Sequence, residues 1–96
     1  MRPSEVLPLH RGTIRQLVLE AGMANPRVFG SVVHGDDKDG SDLDLLVDPA
    51  PKTSLLDVAG LQIEIEQLLG IKVDLLTPRR LPPKFRERVL AEAQPV

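Results

Sequence analysis

Residues 41 to 48 read Ser-Asp-Leu-Asp-Leu-Leu-Val-Asp. This octet constrains the fold more than any other stretch of the chain. Strand side chains alternate between two faces, so Leu43, Leu45 and Val47 share one face while Asp42 and Asp44 share the other. Leu46 falls on the carboxylate face, which is therefore not wholly polar. A strand of this kind must press one side on a core and leave the other side partly open. Two bare carboxylates side by side repel each other unless a cation bridges them. Hard divalent ions such as Mg²⁺ are held by one or two carboxylates together with substrate phosphates.

Upstream, Arg27 to Phe29 reads as a short strand that ends in the turn Gly30-Ser31. Such a turn can offer backbone N–H groups and a hydroxyl to a phosphate. The segment from Gly30 to Val47 thus carries both a phosphate seat and a cation seat. Between them, Gly35 to Gly40 is polar and acidic, and Asp36, Asp37 and Asp39 read as a solvated loop.

The remaining elements follow from periodicity and punctuation. The two prolines in residues 1 to 9 predict an irregular lead or a short first helical turn. Ile14, Leu17, Val18 and Ala21 then fall at helical spacing from about Leu9, with Gly22 as the stop. Pro49-Ala50-Pro51 ends the carboxylate strand, leaving Asp48 as a turn residue. Thr53 or Ser54 caps a helix to Leu69, stopped by Gly70, whose buried side is Leu55, Val58, Leu61, Ile65, Leu68 and Leu69. Ile71 to Leu76 is a third strand, in which Asp74 stands between Val73 and Leu75 and can face the first two carboxylates. Pro82 or Pro83 opens a last helix to about Ala93, with Phe85, Val89 and Leu90 as its apolar contacts. The order helix, strand, strand, helix, strand, helix fits an α/β fold, with α and β elements mixed around one small mixed sheet, in one domain spanning residues 1 to 96.

The spacing Gly30-Ser31, Gly35, Ser41-Asp42-x-Asp44, followed by Leu45-Leu46-Val47, resembles the DNA polymerase β-like nucleotidyltransferases. Asp74 matches the family's third carboxylate in type, context and order. A chain this short is similar to the minimal nucleotidyltransferases, often encoded beside a HEPN RNase toxin to which they serve as antitoxin. The resemblance implies transfer of AMP from ATP to a hydroxyl, a tyrosine of the HEPN partner being the expected acceptor. It implies Asp42, Asp44 and Asp74 as catalytic residues and ligands of two Mg²⁺ ions, with Asp74 drawing the acceptor's proton. It implies Gly30, Ser31 and Ser41 as nucleotide-binding residues. Ser41 on its own reads as a local backbone hydrogen-bonder. Where the family often has Arg before the second Gly, this chain has His34, read as a surface or phosphate-edge residue. The alternative function is an antitoxin of the same fold that acts by binding alone; a third is transfer to a small molecule such as an aminoglycoside.

Composition narrows the remaining classes. A net charge of −2 argues against broad nucleic-acid binding. No cysteine is present, so disulfides and thiolate zinc sites are excluded. No apolar stretch reaches the ~20 residues of a membrane span, and the first residues lack a signal-peptide core, so the cytoplasm is expected. With no Trp or Tyr and two Phe, the core must be aliphatic. Arg79, Arg80, Lys84, Arg86 and Arg88 read as a solvated helix face.

Overall fold

The computed structural model describes all residues from Met1 to Val96. Along the chain run α1 (Pro3–Glu20), β1 (Ala24–Phe29), α2 (Ser31–His34), β2 (Leu43–Asp48), α3 (Leu55–Leu69), β3 (Val73–Leu76), a 3₁₀ turn at Pro78–Arg80, α4 (Arg86–Glu92) and β4 (Gln94–Pro95). The four strands form one mixed sheet in the order β3-β2-β1-β4. β1 runs antiparallel to β2 and β4, while β2 and β3 are parallel and joined by the crossover helix α3.

The alternation in β2 sets the layers. Leu43, Leu45 and Val47 are fully buried in one aliphatic core with Val28 of β1 and with Val73 and Leu75 of β3. Ile14 and Val18 of α1 and Leu61 and Ile65 of α3 close over the same face. α3 starts at Ser54, whose hydroxyl accepts the Asp57 N–H while Asp57 accepts the Ser54 N–H in return, a reciprocal cap. It ends at Gly70, as its sequence predicts. Leu46, also fully buried, lies on the opposite face. That face therefore has an apolar patch of its own beside the carboxylates.

Several boundaries depart from expectation, each for a physical reason. α1 begins at Pro3, not near Leu9. Pro3 occupies the first turn, where a missing N–H costs nothing, and Pro8 lies on the exposed side while Val6 and Leu7 anchor the turn in the core. The first turn is also held from a distance: the Ser4 N–H donates to the Asp37 carboxylate at 2.8 Å. Asp37 is thus buried as a helix cap, not solvated, and that donated bond holds its carboxyl below the usual range. β1 starts at Ala24 because Asn25, at φ 54°, takes up a bulge ahead of the regular pairing. β2 ends at Asp48, as the expected strand from Ser41 to Asp48 does, but it starts at Leu43, and the Asp48 side chain pairs with Arg27 at 2.7 Å instead of serving a turn. Leu55 is 61% exposed and does not belong to the core.

At the C-terminal end the helix starts at Arg86 instead of Pro82 or Pro83. Arg86 is not a solvated cation: its guanidinium donates to the carbonyls of Pro78, Arg79 and Leu81 at 3.0, 3.1 and 3.0 Å. β4 was not expected; two residues pair with Arg27 and Val28, and Val96 is buried behind them. No helix is long and apolar enough to cross a membrane.

Candidate active site

The site is assembled where β1, β2 and β3 lie side by side. Phe29, the last residue of β1, is directly opposite Asp44 of β2. The chain then turns at Gly30, with φ 76° and ψ −142°, into the single turn of α2. A Cβ on Gly30 would run into the Asp44 carboxylate. Glycine is therefore required twice over, by its left-handed φ and by the close approach. Ser31, the first residue of α2, is half-buried next to this contact.

Asp44 and Asp74 are register partners in the parallel pair β2–β3. Neighbouring strands lie about 4.8 Å apart, so the two carboxylates are close neighbours on one face. Asp42 lies one residue ahead of β2, not inside it. The ladder begins directly after it, where the Leu43 N–H donates to the Lys72 carbonyl at 2.9 Å. Asp42 is half-exposed and stands 4.0 Å from the Lys72 ammonium, a surface contact that contributes little.

The electrostatics bear on the three acids together. The Asp44 carboxyl is pushed up to about 6, first by desolvation, then by the charges of Asp74 and Asp42. No hydrogen-bond donor offsets that cost. This is a place short of positive charge. The residues fit a divalent cation on that ground. No group of three acidic or imidazole side chains stands ready-made around an ion. Mg²⁺ takes one or two carboxylates and fills its shell with waters and phosphates.

Beside the acids a cleft of about 360 Å³ opens between the sheet and α4. Phe29, Gly30, Leu76, Leu81, Phe85 and Val89 form most of its lining. Its mouth is bridged by His34 Nε2 and Glu92 Oε2 at 2.8 Å. That contact holds the Glu92 carboxyl below its usual range. His34 is therefore engaged with α4 across the cleft. Ser41 sits away from the cleft lining, and its hydroxyl accepts the Lys38 N–H at 2.9 Å, a local turn bond. The structure brings Gly30, Asp44 and Asp74 together, with Asp42 and Ser31 adjoining. Sequence reasoning missed Glu92 and the α4 wall, and no local signal marks a contact between residues 58 positions apart.

Comparison with known proteins decides what this arrangement belongs to. Residues 25–96 match the model described as "Polymerase beta, Nucleotidyltransferase". The chain belongs to the polymerase beta nucleotidyltransferase family. It is 37% identical over 87 residues to the protein adenylyltransferase MntA of Thermococcus cleftensis, covering 91% of this chain and 85% of the relative. It is 38% identical over 77 residues to a Methanocaldococcus jannaschii protein named as a candidate protein adenylyltransferase, covering 80% and 83%. A solved structure of a candidate minimal nucleotidyltransferase superposes with a TM-score of 0.85 at 43% identity, covering 97% of this chain and 95% of that one. A toxin–antitoxin complex solved with AMP-PNP shares the fold, with a TM-score of 0.75 at 21% identity over 88% of this chain and 70% of that one. The mixed α/β fold and the nucleotidyltransferase membership expected from the Gly-Ser and Asp-x-Asp spacing are both borne out.

Proposed function

We propose that this nucleotidyltransferase is the antitoxin of a HEPN toxin and moves AMP from ATP onto a hydroxyl of that toxin. The observation that carries the reading is the half-buried Asp44, raised to about 6 among Asp42 and Asp74 and pressed against Gly30. A solvated strand face would not gather three like charges where they cost stability. The relatives named protein adenylyltransferase supply the acceptor class, a protein. A solved complex of a tri-AMPylated Shewanella oneidensis HEPN toxin with its MNT antitoxin, which shares this fold, supports the partner class.

In this reading Gly30 and Ser31 seat the phosphates, and Ser41 shapes the loop that leads to Asp42. Asp42, Asp44 and Asp74 would hold two Mg²⁺ ions, which when bound neutralise the developing phosphate charge. The acceptor oxygen attacks the α-phosphorus, and an oxygen–phosphorus bond forms. The bond from the α-phosphorus to the bridging oxygen breaks, and pyrophosphate leaves with that electron pair. Asp74, exposed on β3, takes the hydroxyl proton. The chain contains no tyrosine, so a tyrosine acceptor must come in trans.

The test is incubation of the chain with ATP, Mg²⁺ and its HEPN partner, read by intact-mass spectrometry. AMP adducts are expected on the partner and absent from this chain. Tight binding with no adduct on either protein would establish neutralisation by binding alone.

A further inference from the structure

The α4 cleft touches Gly30, but a second hollow, also about 360 Å³, opens on the other flank of the acids at the β3 edge. Leu55, Val58, Ala59 and Gln62 of α3 line it together with Asp74 and Arg80. The four α3 residues follow the i, i+3, i+4, i+7 spacing of one helix stripe. A stripe of this kind normally faces a core, yet Leu55 is 61% exposed. Resting on the nucleotidyltransferase reading above, we infer that this groove docks the segment of the protein acceptor that carries the reacting hydroxyl. An apolar side chain of that segment lies on Leu55, Val58 and Ala59, an acidic group meets Arg80, and the hydroxyl reaches Asp74.

Three features specify that occupant. In-line displacement puts the attacking oxygen opposite the leaving pyrophosphate. In the sheet order β3-β2-β1-β4, Gly30 follows β1 and Asp74 lies on β3, so the phosphate seat and this groove flank Asp44 from opposite sides. Charge is the second feature: Arg80 is exposed and forms no ion pair, while Asp74 stands at the same groove. The third concerns the backbone of β3. Its Val73 and Leu75 N–H groups already donate to Glu66 and Gln62, each at 3.0 Å. Those two donors are closed to a partner strand. With the ladder donors taken, the side chains of the apolar stripe and Arg80 carry the recognition.

The experiment uses two probes with ATP and Mg²⁺: N-acetyl-tyrosinamide, and a capped heptapeptide with a central Tyr flanked by Leu and Glu. The peptide is expected to be modified with kcat/KM at least ~10-fold above the amide, a difference of about 1.4 kcal/mol. Leu55→Asp and Ala59→Arg should erase that advantage through KM, with ATP affinity by calorimetry and the melting temperature unchanged. Arg80→Glu should do the same for the Glu peptide and favour a Lys counterpart. A wild-type protein that binds ATP but uses peptide and amide alike, or variants that keep the advantage, would overturn the groove. Failure to bind ATP at all would instead overturn the reading on which it rests.

Discussion

Asp37 and Asp44 are the same residue type seven positions apart, and the fold moves their acidities in opposite directions. Asp37 is buried, yet its carboxyl is held below the usual range because the Ser4 N–H donates to it at the start of α1. Asp44 is half-buried, and its carboxyl rises to about 6, first because it loses water with no donor to replace it, then because the charges of Asp74 and Asp42 face it. Burial alone does not set the charge state of an acid; the partners that replace water do. Asp37 has been given its counter-dipole by the protein. Asp44 has been left without one, which suits a site whose counter-charge arrives with the substrate.

Removing the unsatisfied acid should have the largest effect. Asp44→Asn is expected to cut AMP transfer by at least ~10²-fold, the scale of one lost electrostatic contact in a transition state. Single-turnover transfer measures it, and a wild-type rate would end the assignment. Next comes Gly30→Ala, which forces a Cβ against the Asp44 carboxylate at a left-handed φ. Denaturant titration should show a loss of about 1–3 kcal/mol; adding Asp44→Gly should recover only the share due to the close approach, because the left-handed φ stays strained whatever the space.

Stability against pH gives the finer separation. The Asp37 carboxyl is depressed in the folded state, so its contribution is present above the unfolded value of 3.8 and is lost as pH falls through the folded one. Asp37→Ala should cost about 1 kcal/mol at neutral pH, as a lost helix cap does. The gap to wild type should close in acid. Asp44 carries the reverse sign. Its raised value means a penalty that is absent below about 3.8 and grows until pH passes about 6. Asp44→Asn should therefore be the more stable protein at pH 7, by on the order of 1 kcal/mol once solvent screening of a half-exposed group is allowed for. The two should converge near pH 4. Thermal melts from pH 3 to 8 test both signs at once. The smallest effect belongs to Asp39, which shares the loop with Asp37 but is 83% exposed beside the N-terminal ammonium. Asp39→Asn should stay within about 0.5 kcal/mol at every pH.

Much of this was legible in the linear chain. The alternation around Leu43, Leu45 and Val47 implied a strand with one dry face, and the same period put Asp44 on the other. Gly-Ser before Asp-x-Asp identified the family, and Ser54 with Gly70 bounded α3, because caps and stops are local chemistry acting over a few residues. Tertiary structure decided the rest. Asp37 became a helix cap because a loop folded 33 positions back onto Ser4. Leu55 stayed exposed because the stripe it belongs to runs past the end of the core to the β3 edge. β4 formed because β1 had a free edge, since two residues carry too little local preference to declare themselves. The convergence of Gly30, Asp44 and Asp74 depends on strand order and register, and those are settled by which apolar faces can be buried together, a sum over the whole chain that no single segment contains.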